Sequence, residues 1–222
     1  MVFMHGIGFG LLPYMPFLRK LWRAFPSRTL ILAEYRHVTM RLCWSSPHVD
    51  EAVYELAGLL EEQGHGQACI MGHSYGTLVM TRFMQLCPAM VGAAVMVDPV
   101  SLMVLHPKLL NNFVYRPTRL VTRENMRQYL LMSMVASEIT VSETLCRKFW
   151  WHIFMTWPHL LPPATLIVLS DLDRLVPTPE VRSMLSATHA EVMTHPKHHH
   201  GDFLFDAPWQ DEIVDRMQRL AM

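Results

Sequence analysis

Ala68-Cys69-Ile70-Met71-Gly72-His73-Ser74-Tyr75-Gly76-Thr77-Leu78-Val79-Met80-Thr81-Arg82-Phe83-Met84 runs from an apolar stretch through a Gly-x-Ser-x-Gly turn into a helical pattern. Strand, turn and helix in that order form the context in which Gly-x-Ser-x-Gly becomes a nucleophile elbow. So tight a turn forces the serine into a strained backbone conformation. Gly72 and Gly76 flank it because side chains there would collide. The strain lifts the Ser74 hydroxyl above the sheet edge. The same turn aims the Tyr75 N–H, at the positive end of the following helix, toward a reacting carbonyl. The bland alternative is an incidental serine in a glycine-rich turn, and three further segments weigh against it.

Val2-Phe3-Met4-His5-Gly6-Ile7-Gly8-Phe9-Gly10 is a short apolar strand entering a glycine-rich loop. A serine nucleophile needs a second N–H donor for the oxyanion, from a loop at a neighbouring strand end. We assign that donor to Ile7, with Gly6 as the neighbouring possibility. A phosphate-binding loop is disfavoured: position 11 is Leu, which breaks G-x-G-x-x-G, and no Gly-Lys-Ser/Thr follows. Leu166-Ile167-Val168-Leu169 reads as a buried strand leading to Ser170-Asp171-Leu172-Asp173-Arg174-Leu175-Val176-Pro177. A carboxylate there can fix a histidine tautomer and stabilise its cation. Asp173 is the choice, and Asp171 the alternative. His198-His199-His200-Gly201 follows, and His200 is assigned as general base because Gly201 permits a sharp exposed turn. His198 and His199 stay open as alternatives. A metal site in this tract is disfavoured, since neither H-E-x-x-H nor C-x-x-C spacing occurs.

Ser74, Asp173 and His200 keep the chain order Ser, Asp, His. With His5-Gly6 before the glycine loop, these motifs make the chain resemble the α/β-hydrolase family over nearly its whole length. The middle also resembles a group of poorly characterised eukaryotic members, through Asp98-Pro99-Val100, Asn112-Phe113-Val114-Tyr115-Arg116 and Arg147-Lys148-Phe149-Trp150-Trp151. The resemblance implies a serine hydrolase acting on a carboxylic ester or related acyl bond through an acyl-enzyme, with no metal or cofactor. His5, Gly6, His73, Met126 and Trp150 are the expected substrate contacts. A catalytically weak or inactive binding protein and an acyltransferase are the alternatives. A histidine base predicts that rate falls as His200 protonates, near the ordinary imidazole value of about 6.5.

At 222 residues, 51% hydrophobic and 17% charged, the chain suits one globular domain with its own core. Nineteen basic residues balance nineteen acidic ones, so no nucleic-acid-binding stripe is expected. Cys43, Cys69, Cys87 and Cys146 lack paired spacing and read as reduced, which favours a cytoplasmic setting by default, with peripheral membrane association left open. Prolines and glycines interrupt each long apolar stretch, so no membrane span is expected.

The element order predicts an α/β architecture with a mostly parallel sheet: strand Val2–Met4, helix 14–25, strand Leu30–Ala33, helix 48–63, the elbow strand and helix, strand Val91–Val97, strand 166–169, a helix capped by Thr178 with Pro179 in its first turn, and a last helix from Pro208. In helix 48–63 the apolar face is Val49, Ala52, Val53, Leu56, Leu59 and Leu60. The last helix should bury Trp209, Ile213, Val214, Met217 and Leu220. Segment 101–163 breaks the rhythm and is read as a helical cap insertion. Its Met126, Tyr129, Leu130, Met132, Met134, Phe149, Trp150, Trp151, Phe154 and Trp157 are candidates for an apolar, lipid-like ester pocket. The family has two further strands before the first one seen here. Their absence predicts an exposed edge near Leu30–Ala33 that a partner or a missing segment would cover.

Overall fold

The computed structural model describes residues 1–44, 46–115, 134, 135 and 137–220. Six strands, β1 (Val2–Met4), β2 (Ile31–Ala33), β3 (Ala68–His73), β4 (Val91–Val97), β5 (Ala164–Ser170) and β6 (Glu191–His195), pair in parallel in the order β2-β1-β3-β4-β5-β6. From β1 the chain crosses to β2 on one side and later to β3 on the other. The loops after β1 and β3 therefore diverge at a switch point, where a crevice opens at the strand C-termini.

A parallel sheet must be covered on both faces. Successive strand residues alternate between the two layers. Val2, Met4, Ala94, Met96, Ile167 and Leu169 face one core, and Phe3, Val95, Val97, Leu166 and Val168 face the other. Helices α2 (Val49–Glu62), α3 (Tyr75–Leu86) and α4 (Thr178–Leu185) cover the first face, and α1 (Met15–Ala24) and α5 (Ala207–Arg219) the second.

Helix α2 begins on a reciprocal cap: the His48 ring accepts from Asp50 N, and the Glu51 carboxylate accepts from His48 N. It ends on Gly64 at φ 73°, with Gly64 N bonded to Glu61 O and His65 N to Leu60 O, the paired bonds of a Schellman stop. Its buried stripe is Val49, Val53, Leu56, Ala57 and Leu60. Leu59 lies on the flank of that stripe and is exposed, contrary to the expected face.

Three other local features differ from expectation. Thr178 is inside α4 and does not cap it; its hydroxyl donates to Ser170 O at 3.0 Å, the second bond to a carbonyl that also accepts from Asp173 N at 3.1 Å, so the buried hydroxyl is satisfied across to β5. Trp209 in α5 and Leu220 just past its end are only half-buried, while Gln210 is buried and donates to the carbonyls of Phe203 and Leu204. Strand β6 is absent from the expected elements. It is a half-exposed edge strand with little apolar run to announce it.

Among the described residues, 101–163 contributes short helical turns between β4 and β5, including Pro107–Leu109, Ile139–Glu143 and Trp151–Phe154. Lys108 Nζ donates to the carbonyls of Asp173 (2.7 Å) and Val176 (3.0 Å), and Thr140 Oγ1 to His37 O (2.9 Å). The segment is thereby tied to loops on both sides of the crevice. No helix among the described residues is long and apolar enough to cross a membrane, and none of the four cysteines is in a disulfide.

Among the glycines, the tightest approach is that of α3 to β1 at Gly76. A Cβ on Gly76 would stand 2.1 Å from the Met4 carbonyl oxygen, which is backbone and cannot rotate away. Gly76→Ala must push strand and helix apart. We expect it to cost about 3 kcal/mol, read as a lower denaturant midpoint. An unchanged midpoint would contradict this packing.

Candidate active site

Ser74 stands between β3 and α3 at φ 52° and ψ −117°, a positive φ that a side chain rarely adopts. A Cβ on Gly72 would lie 2.9 Å from the Gly76 carbonyl group, so the two flanking glycines are a steric requirement of the turn. Ser74 N bonds Val97 O at 3.1 Å, which anchors the turn on β4. Tyr75 is the first residue of α3, so its N–H has no intrahelical acceptor and is free to face a ligand.

The structure brings Ser74, His200 and Asp173 together. Ser74 Oγ lies 2.8 Å from His200 Nε2, and His200 Nδ1 lies 2.6 Å from Asp173 Oδ2. Asp173 Oδ1 accepts from Leu175 N (2.6 Å) and Val176 N (3.0 Å), which fixes the carboxylate in plane. The alternatives are engaged elsewhere. Asp171 pairs with Arg182 at 3.0 Å, His198 Nε2 is 3.0 Å from Asp206 Oδ2, and His199 Nδ1 is 3.0 Å from Leu172 O.

The glycine loop after β1 lies against the elbow. A Cβ on Gly6 would come within 2.9 Å of His73 Nδ1 and 3.1 Å of Ser74 Cβ, so only glycine permits the approach. Gly6 N donates to Tyr14 Oη at 2.9 Å, and Gly8 N donates to Val38 O at 2.9 Å. Between them, the Ile7 N–H has no hydrogen-bond partner among the described residues.

Tyr14 belongs to the site although no motif points to it. Its hydroxyl accepts from Gly6 N and lies 2.6 Å from His73 Nδ1, so it ties the loop to the elbow. Nothing in the local pattern marks it, because its partners are 8 and 59 residues away.

Two expected substrate contacts turn inward. His5 is fully buried; its Nε2 accepts from Tyr35 N (3.0 Å), which leaves Nδ1 to donate to Gly6 O (2.7 Å). The ring props the loop, and both its polar atoms are used. His73 accepts from Tyr14 on Nδ1 and packs its ring 5.4 Å from that of His200. Gly6 bonds through its N–H to Tyr14, and Trp150 is 63% exposed. Met126, Tyr129, Leu130 and Met132 lie outside the described residues. Phe149 reaches the elbow instead, with its ring 6.4 Å from Tyr75 and stacked at 3.9 Å on Phe154.

Partners decide the charge of these buried rings. Burial lowers the His200 pKa, but the charge and hydrogen bond of Asp173, with Asp98 and Asp202 behind, outweigh it and push the pKa up to about 9. His73 lacks such a partner; burial, then the neighbouring His200 and His5, hold it well below the usual value. Burial, then the charge of Asp173, pushes Asp98 up to about 7 against the opposing pull of His200.

One further group offers metal-ligand atoms: His195, His198 and Asp206. Its two imidazoles stack 3.4 Å apart and present Nε2 to the same Asp206 oxygen, at 3.0 Å from His198 and 3.9 Å from His195. Asp206 also caps α5 through Trp209 N at 3.0 Å. The cluster reads as a joint between β6 and α5.

A model of the alpha/beta hydrolase family matches residues 1–215. No curated protein matches the chain. Among solved structures, a serine hydrolase from Cycloclasticus zankles superposes with a TM-score of 0.66 at 14% identity, covering 99% of this chain and 90% of that one. A thermophilic esterase from Thermogutta terrifontis gives 0.64 at 13% identity, over 100% and 90%. The Paleococcus ferrophilus monoacylglycerol lipase gives 0.62 at 17%, over 98% and 91%. At such identities the likeness is one of fold. The elbow, the order of its partners along the chain and the family match over residues 1–215 lead to one statement: this chain belongs to the alpha/beta hydrolase family.

Proposed function

We propose that the protein is a serine hydrolase that cleaves a carboxylic ester, or a related acyl bond, of an apolar substrate through an acyl-enzyme. The observation that carries this is the unbroken line from Ser74 Oγ through His200 to Asp173, at 2.8 and 2.6 Å. His200 Nε2 takes the hydroxyl proton as Ser74 attacks the carbonyl carbon. Asp173 accepts from Nδ1–H, selects the tautomer with a bare Nε2, and stabilises the imidazolium. The Tyr75 and Ile7 N–H groups receive the oxyanion. Each such donor is worth about 3–4 kcal/mol in the transition state. His200 then returns the proton to the leaving alcohol, and water repeats the sequence on the acyl-enzyme.

The apolar preference rests on segment 101–163, which we take as a cap. Phe149, Phe154 and Trp151 form an aromatic cluster beside Tyr75, and such flat faces suit an acyl chain. The monoacylglycerol lipase and the esterase among the structural neighbours act on the substrates their names give, in keeping with this class.

Reaction with a fluorophosphonate probe tests nucleophile, base and oxyanion site together. We expect the folded protein to be labelled and to turn over small aryl esters. Ser74→Ala should abolish both while leaving the melting temperature unchanged within a few degrees. Equal turnover by that variant would exclude Ser74 as the nucleophile.

The pH dependence follows from the direction of the His200 shift. The base must be neutral to accept a proton, and its pKa is raised to about 9. At pH 7 only about one molecule in a hundred then holds it neutral. The labelling rate should climb roughly tenfold per unit from pH 7 to 8 and level off near pH 9. A limb at or below 6.5 would show that Asp173 does not support the cation.

A further inference from the structure

Asp98 immediately follows β4, the strand beside the one that leads to Ser74, and no step above uses it. It is 1% exposed and holds φ 45°. Positive φ is shared by only two other non-glycine residues among the described ones, Met40 and Ser74. Its Oδ2 accepts from Gly201 N at 2.8 Å, the peptide immediately after the base. Its Oδ1 is buried with no partner, and so is His73 Nε2, 3.9 Å from Oδ2. One oxygen of Asp98, one of Asp173 and one ring nitrogen of His200 lie within 4.8 Å of one another.

Two carboxylates thus face one imidazole. Asp173 is saturated, with one oxygen on His200 and the other on two backbone N–H groups. Asp98 has one oxygen with no partner in hydrogen-bond geometry, although the Ser170 hydroxyl stands near enough to favour its charged form. A buried carboxylate with unused acceptor capacity, close to a like charge and in a strained conformation, is destabilising three times over. Holding the Gly201 N–H alone would need only a neutral acceptor. Above its raised pKa of about 7 the carboxyl is ionised, and its charge then faces the His200 ring.

We propose, resting on the Ser74–His200–Asp173 reading, that Asp98 is a positioning residue for the base: it holds the His200–Gly201 peptide against the sheet and shares with Asp173 the stabilisation of the cationic imidazole. The charged and titratable groups that face His200 are Asp173 from the loop after β5, Asp98 from the turn after β4, His73 from the end of β3 and Asp202 from its own loop. Asp98 additionally faces Asp173, the Ser170 hydroxyl and Tyr14.

The test is the rate of Ser74 labelling by a fluorophosphonate from pH 5 to 10, in wild type, Asp98→Asn, Asp173→Asn and the double variant. Asparagine keeps an acceptor for Gly201 N and tolerates positive φ, so the substitution removes charge and leaves the loop in place. We expect Asp98→Asn to move the acid limb down by about one pH unit, the shift an opposite charge produces at this range. Asp173→Asn should retain at least about tenfold more labelling than the double variant, because loss of the acid alone, about 10⁴ in a triad without a second carboxylate, would be partly covered. An Asp98→Asn profile superimposable on wild type, or a double variant equal to Asp173→Asn, overturns the proposal. A measurement free of variants is the NMR titration of the His200 ring in the native protein. Two coupled steps are expected, and a single step overturns it. If folded wild type is not labelled at all, the Ser74 reading fails. If it is labelled and the Asp98→Asn profile is unchanged, only the role of Asp98 falls.

Discussion

Between the carbonyl of Met4 and the α-carbon of Gly76 there is no room for a methyl group. That contact sets how closely α3 lies on β1, and with it the depth of the elbow in the sheet. Because β1 and β3 are neighbours, the loop leaving β1 passes directly over the turn leaving β3. Gly6 then meets His73 and Ser74 at distances that exclude a side chain, and Gly72 meets Gly76 in the same way. Three glycines at one switch point let the loop after β1 lie directly against the turn that carries Ser74. Under the proposed reading, recognition of an oxyanion by backbone N–H groups follows from that crowding.

The same crowding makes the electrostatics of the crevice sensitive to partners. His5 and His73 are buried and His200 nearly so, and burial alone lowers the pKa of each. Only His200 gains a carboxylate in hydrogen-bond contact, and only its pKa rises. His5 and His73 are held neutral and act through directed hydrogen bonds, one to the Gly6 carbonyl and one from the Tyr14 hydroxyl. Under the proposed reading this separates the ring that must change charge from the rings that keep it in place.

Much of this is legible along the chain because it is local. The elbow needs two glycines two residues from a serine. Helix α2 carries its own start and stop in His48, Glu51 and Gly64. Strands buried on both faces announce themselves as aliphatic runs. What escapes has a local signal too weak or a partner too distant. Strand β6 is a half-exposed edge with little apolar run. Thr178 looks like a cap by its neighbours, yet its hydroxyl answers a carbonyl at the end of β5. Tyr14 lies in an ordinary turn, and Asp98 reads as the end of a strand before a proline.

The sequence by itself determined the order of five of the six strands and of the helices that cover the sheet, the turn that strains Ser74, and the short list of acids and histidines that stand at strand ends. These follow from steric rules and hydrophobic periods that act over a few residues. It left open Asp171 against Asp173 and His198 or His199 against His200. Only the tertiary structure separates these, since neighbouring side chains at a loop tip point in different directions and hydrogen-bond reach is about 3 Å. Asp171 turns to Arg182, His198 to Asp206 and His199 to Leu172, while Asp173 and His200 turn to each other and to Ser74. The role of a side chain at such a site is a matter of direction, and direction is fixed by packing between segments more than a hundred residues apart.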